Sequence, residues 1–321
     1  RIAGMMEATY GDDADSHAAE LAHHYSQGAM ITGTEKMVRY SGLAGEQALA
    51  VHAPEEVLVH FQRALAVKEE QPMDGETADL LLGLGRVQVA TVERHRFADA
   101  VVSLGRAFDY FVDVNDLERA LIVAESQMPR VLGIRTVMGS LIERALELVP
   151  SDSHQAGRLL SRYGQEIGIA SADYESAQTA FGRAFAIAER EGDEALAMRT
   201  LLAAARVDFS HAKYQEAAGK SLQVIALVSR LNDMGAELDA HRTVALSFRN
   251  MGDPKASRPH AVAGLSLAEE IGNRLWLALL LAANATLHQL NGDWSISGEC
   301  TDRGFEVSSN DVTLLVSRVL V

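Results

Sequence analysis

Residues Asp173–Asp193 read DYESAQTAFGRAFAIAEREGD, and the features of this stretch recur down the chain. A turn residue followed by an aromatic or a proline returns as Asp173-Tyr174, Lys213-Tyr214, Asp253-Pro254 and Asp293-Trp294, a constant step of 40 in sequence position. Three positions beyond each aromatic or proline stands a small residue: Ala177, Ala217, Ser257 and Ser297. A fixed period of this kind marks stacked supersecondary units rather than one closed core. Within the period, apolar residues recur at helical spacing over stretches of about 12 to 18 residues rich in Ala, Leu, Glu and Arg, so helices are predicted and strands are not.

Start and stop signals keep the same beat. Asp193, Asp233 and Asn273 each precede a new apolar-periodic stretch, where a side-chain oxygen can accept from the unpaired first N–H groups of a helix. Gly192 and Gly272 stand just before two of these caps, where a left-handed residue ends the preceding helix, so the connections are predicted to be very short. Upstream the period loosens: the equivalent anchors are Val57, Ala100 and Met138, at spacings of 43, 38 and 39 before the regular 40s, which makes seven copies. Four positions after each anchor come Phe61, Leu104, Ile142, Phe181, Ser221, Ala261 and Thr301. Three further on come Ala64, Ala107, Ala145, Ala184, Val224, Gly264 and Gly304. A filling side chain followed at helical spacing by a small one lets the second helix of a hairpin approach the first, and stacking of hairpins buries a seam that no single one can bury.

Composition agrees with a folded, non-membrane helical protein. The chain has 321 residues, 48% of them hydrophobic and 23% charged, inside the globular range. Its formal charge of −15 and its lack of any dense Lys/Arg run argue against direct nucleic-acid contact. A single cysteine, Cys300, excludes an internal disulfide framework and any CxxC metal site, fits a reducing cytoplasm, and is expected to be a buried small hydrophobe. The longest apolar run, Leu275 to Ala283, stops at Asn284 after about half the length of a membrane span and reads as a buried helix. The chain lacks a starting methionine and ends on TLLVSRVLV without a stop signal, so a piece of a longer protein is expected.

The pattern of Ala177, Phe181 and Ala184, with ALELVP ending at Pro150, resembles the tetratricopeptide repeat. The likeness covers most of the chain, although Ser221, Ala261 and Thr301 lack the aromatic and the unit is longer than the usual repeat of about 34 residues. The fold class it implies is all-α: a superhelical solenoid of antiparallel helix pairs with a concave side. A second resemblance lies in YGDDADSHAAELAHHYSQG (residues 10–28) and TEKMVRYSGLAGEQALAVHAPEEVLVHFQRALAVKE (residues 34–69), which is similar to the junction between ATPase module and repeats in large LuxR-type bacterial signalling ATPases. That likeness implies a helical junction at 1–33 and a repeat array over 34–321. It further implies a regulatory role, in which the array binds a protein segment or small-molecule inducer in its groove and acts on its own ATPase module. A scaffold that is free-standing or linked to a nucleotide cyclase is the alternative. The sequence itself contains no GxxxxGK[ST] loop and no basic helix-turn-helix, so neither ATP nor DNA binding is assigned to it, and no cofactor is expected.

Chemistry-bearing residues are few. His17, Glu20 and His24 fall at i, i+3 and i+7 and could share a helical face as metal ligands, but partly exposed histidines on a packed helix explain them without a metal, and no metal site is assigned. GLGR at Gly83–Arg86 lies within a periodic helix with no preceding strand, so its glycines read as close helix contacts, as do Gly164 and Gly182. No catalytic motif is present, and no enzyme activity is expected. In this repeat class first helices line the concave side, so the resemblance places Arg162, Gln165, Arg199, Arg206, His241, Arg242, Asn284 and His288 as candidate groove residues. Converging, they would offer charge-assisted donors to carboxylates, phosphates or sugar hydroxyls; dispersed, they are ordinary solvated positions.

Overall fold

A computed structural model of the chain describes residues 2–32, 34–50, 54–68, 71–91, 97–126, 138–272 and 274–307. All regular structure among the described residues is helical. The order is α1 (Ile2–Tyr10), a 3-10 segment (Gly11–His17), α2 (Ala18–Thr32), α3 (Glu35–Ala50), α4 (Pro54–Lys68), α5 (Gly75–Thr91), α6 (Phe97–Asp113), α7 (Leu117–Ala124) and α8 (Met138–Glu147). It continues with α9 (His154–Ala170), α10 (Tyr174–Glu191), α11 (Glu194–Ser210), α12 (Tyr214–Leu231), α13 (Met234–Asn250), α14 (Pro254–Ile271), α15 (Arg274–Leu290) and α16 (Trp294–Val307). The chain divides into two compact units, Arg1–Leu148 and Val149–Val321. No helix among the described residues is long and apolar enough to cross a membrane.

In the second unit helices begin at a constant step of 20 in sequence position, from His154 to Trp294, two to each period. The residues read as punctuation set these boundaries. Ser153, Asp173, Asp193, Asp233 and Asp253 each accept, through the side chain, the backbone N–H three positions on, and so cap α9, α10, α11, α13 and α14. Gly192 and Gly272 take φ of 66° and 70° at the ends of α10 and α14, the left-handed conformation that costs glycine nothing. Asn232 does the same for α12. The cap expected at Asn273 lies outside the described residues, as do the side chains of Val57 and Leu275 and the whole of the C-terminal TLLVSRVLV.

Packing follows the large-then-small columns. Phe61, Leu104, Ile142, Phe181, Ser221, Ala261 and Thr301 are all buried, and so are Ala64, Ala107, Ala145, Ala184, Val224, Gly264 and Gly304. Close approach is visible at the glycines: a Cβ added at Gly83 or Gly164 would stand 2.6 or 2.7 Å from the ring of Phe61 or Phe181, and one at Gly85 2.6 Å from Leu104. Gly182 corrects the expectation made for it, since a Cβ there would meet nothing within 4 Å. It lies on the outward face of α10, so its presence reflects no packing demand. Cys300 is half-buried rather than fully enclosed, and burial pushes its thiol up.

The first unit opens with a tied cluster. Glu7 of α1 accepts from Tyr25 of α2, from Tyr40 of α3 at 2.8 Å and from Lys36 of α3 at 2.6 Å. Tyr25 and Tyr40 stack with ring centres 5.8 Å apart. One carboxylate thereby fastens three helices. Beyond it, α3 packs on α4, α5 on α6 and α7 on α8.

Candidate functional site

Within the second unit the first helices of successive hairpins are α9, α11, α13 and α15, and neighbouring first helices touch along the stack. A polar row crosses all four. Arg206 of α11 donates through Nη1 to Gln165 Oε1 of α9 at 2.7 Å. It also donates through Nε and Nη2 to Asp239 Oδ2 of α13. The other oxygen of Asp239 accepts from Arg242, one turn further along α13, at 3.3 Å. The Arg242 guanidinium in turn lies over the indole of Trp276 on α15, 5.6 Å from the ring centre.

The register explains why these groups meet. Asp239 follows Arg206 by 33 positions, one period less two helical turns, so the two stand on the same face of successive first helices and the long arginine side chain bridges the axial offset of about 10 Å. Asp239 is wholly buried, while Arg206 and Arg242 keep 23% and 14% of their side chains exposed. A buried carboxylate survives only when paired, and here two guanidinia share it. The trio carries one net positive charge, in a chain whose total is −15. Arg162, one turn from Gln165 on α9, feels this charge: burial pushes its guanidinium down, Glu166 works the other way, and Arg206 adds to the lowering.

Of the eight candidates, Gln165, Arg206 and Arg242 are thus joined, with Arg162 electrostatically coupled to them. Arg199 is exposed, two turns before Arg206 on the same face of α11. The other three turn elsewhere. His241 faces His260 of α14, Nδ1 to Nδ1 at 3.0 Å, so one ring carries the hydrogen and the other accepts it. Burial, then the neighbouring His260, bring His241 to about 4. Asn284 is buried and donates to the carbonyls of Leu280 and Ala261. His288 approaches Asp293 in its own hairpin turn at 3.3 Å.

Sequence reasoning missed Asp239 and Trp276. An acid inside a helix reads as a solvated position until its offset of 33 from Arg206 and its one-turn offset from Arg242 are considered together. A second buried acid, Asp208 of α11, accepts from Tyr174 at 2.8 Å and from Lys220 of α12, tying α10, α11 and α12. At the other end of the chain, His17 closes the 3-10 segment rather than lying in α2, so it does not share a continuous helix with Glu20 and His24. Its ring stacks on Tyr10 at 3.9 Å. Among the described residues no three His, Cys, Asp or Glu side chains are grouped so as to hold a metal ion.

No protein-family model matches the chain, and no curated protein is similar to it in sequence. Solved structures are similar in fold. A tetratricopeptide repeat protein from Parabacteroides merdae superposes with a TM-score of 0.53 at 12% identity, over 88% of this chain and 98% of that one. A Rap protein complexed with Competence and Sporulation Factor gives a TM-score of 0.53 at 12% identity, over 88% and 80%. A signal transduction ATPase with numerous domains from Pyrococcus horikoshii, which has a tetratricopeptide repeat sensor, gives 0.53 at 14% identity over 91% of this chain. The chain spans 42% of the length of that ATPase. The fold is therefore an all-α array of helix pairs of the tetratricopeptide type.

Proposed function

We propose that the chain is the recognition part of a regulatory repeat scaffold, and that the face formed by α9, α11, α13 and α15 receives a protein segment or a small-molecule inducer. The observation that carries this reading is the row Gln165–Arg206–Asp239–Arg242–Trp276, which crosses the first helices of four consecutive hairpins. A row bridging separate repeats can report on their relative placement, because a ligand that re-pairs Arg206 or Arg242 changes what holds adjacent helices together. Arg199, exposed beside it, adds a cation that an anionic group can engage without displacing Asp239.

The wider setting we propose is an ATPase-linked bacterial transcriptional regulator of the LuxR type, with residues 1–33 as the junction that follows the ATPase module. The two junction-like segments support it. So does the fold shared with a signal transduction ATPase whose repeats are called a sensor, and with a Rap protein seen in complex with a factor. Recognition requires no chemistry from the chain itself.

A thermal-shift screen of the purified chain against metabolites, sugars and nucleotides tests the reading, since a ligand bound to the folded state raises its apparent stability. The expected result is a saturable shift that weakens in Arg199→Ala and in Arg242→Ala while both variants keep their unliganded melting cooperativity. A hit of equal strength in both variants would place recognition elsewhere. A blank across the screen, followed by failure of the chain to retain its ATPase module in a pull-down, would remove the regulatory reading.

A further inference from the structure

One pair of side chains outside the polar row has a geometry of its own. His241 of α13 and His260 of α14 meet Nδ1 to Nδ1 at 3.0 Å, and their ring centres stand 5.2 Å apart. That separation is close to the greatest that a 3.0 Å contact between ring nitrogens allows, so the two nitrogens point at each other nearly along one line. The 37° between the ring planes is then mostly a twist about that line.

The repeat does not call for this pair. One period earlier the two positions hold Leu201 and Lys220, and one period later Leu281 and Cys300. Both rings are half-buried, and so within reach of solvent. Burial holds both below the usual histidine range, and His260 adds to the lowering at His241. At neutral pH the rings are therefore uncharged, with one hydrogen between the facing nitrogens. Among the described residues no third His, Cys, Asp or Glu joins them in a group that could hold a metal ion.

Two neutral imidazoles aimed at each other match the donor set of a linearly coordinated ion. Zinc takes three or four protein ligands, and calcium and magnesium take oxygen, so neither class suits this pair. Monovalent copper and silver have filled d shells and accept two nitrogen donors in line; imidazole is a natural ligand for copper. With metal–nitrogen bonds of about 2 Å, the facing nitrogens must part by about 1 Å from their hydrogen-bonded spacing. Small rotations of two half-exposed side chains about their own bonds provide that opening.

We propose that His241 and His260 form a two-coordinate site for a monovalent soft metal ion, copper(I) or silver(I), seated between their Nδ1 atoms in place of the shared hydrogen. The displaced hydrogen is carried on Nε2 of the same ring, so both imidazoles stay neutral and no proton is released overall. Neither ring belongs to the row that crosses the first helices, and the site stands or falls independently of any groove ligand. An ion that enters does so by spreading the hairpin α13–α14, whose first helix carries Asp239 and Arg242.

Silver(I) added to the full chain is the probe, in a Cys300→Ser background that removes the competing thiol. Nitrogen-15 NMR is expected to show Nδ1 of both His241 and His260 split by the silver nucleus, with Nε2 protonated on each; splitting at one ring alone, or at neither, overturns the site. Calorimetry is expected to give one tight site with the same heat in buffers of different ionisation enthalpy, and release of a proton for each silver bound overturns it. The tight site should weaken by at least about tenfold in His241→Gln and in His260→Gln, the least that loss of even an outer partner costs a metal site, and stay unchanged in His23→Gln. Equal affinity in all three variants would assign the silver to other histidines or to methionines and overturn the proposal.

Discussion

At Asp239 two guanidinium groups share one carboxylate that has no exposed surface. Removing it leaves Arg206 and Arg242 facing each other in a half-buried setting, so Asp239→Ala is expected to cost about 3–5 kcal/mol, measured by urea unfolding. A loss below about 1 kcal/mol would mean that water already screens the pair. Glu7 offers a pH test at the same scale. Burial alone would raise its carboxyl, but the hydrogen bonds from Lys36, Tyr25 and Tyr40 prevail and bring it down to about 2. Because the folded value lies below the unfolded one, its contribution is fully present above the ordinary carboxylate range and is lost as pH falls through about 2. Carboxyl carbon NMR should follow Glu7 titrating well below the exposed glutamates, and Tyr40→Phe should move it upward. The candidate arginines were legible from the sequence because they recur on the first helices. Their shared acid was not, because one buried carboxylate looks like any surface carboxylate until its partners' helices are placed.

Helices begin and end here where local residues dictate, and glycines within them separate two cases that sequence cannot distinguish. Gly164 lies under the ring of Phe181, so Gly164→Ala should destabilise by about 1–3 kcal/mol through overpacking, more than the roughly 1 kcal/mol that alanine gains in helix propensity. Gly182 has open space, and Gly182→Ala should stabilise by up to about 1 kcal/mol. Thermal melts of the two variants must move in opposite directions; a shift of the same sign would contradict the packing at α9–α10. Both glycines follow the same helical pattern in the sequence. What differs is which side of the helix meets a neighbour.

For the molecule as a whole, a strict period makes a prediction about excision. Deleting residues 174–213 joins the cap Asp173 directly to Tyr214, the first residue of another second helix, so the shortened chain should fold with native-like helicity and a lower melting midpoint. Deleting 174–203 instead joins the same cap to the middle of α11, which mismatches the helices and should collapse cooperativity in circular dichroism melts. Equal behaviour of the two deletions would refute a modular stack in this unit. The caps and the all-helical class were readable along the chain because each depends on residues within a turn or two of one another, and the period and the buried columns because the same local pattern returns every 40 positions. Tertiary structure alone decided which polar groups meet. The offset that brings Arg206 to Asp239, and leaves His241, Asn284 and His288 to other partners, is a relation between helices a full period apart, set by how their faces pack and not by any local signal.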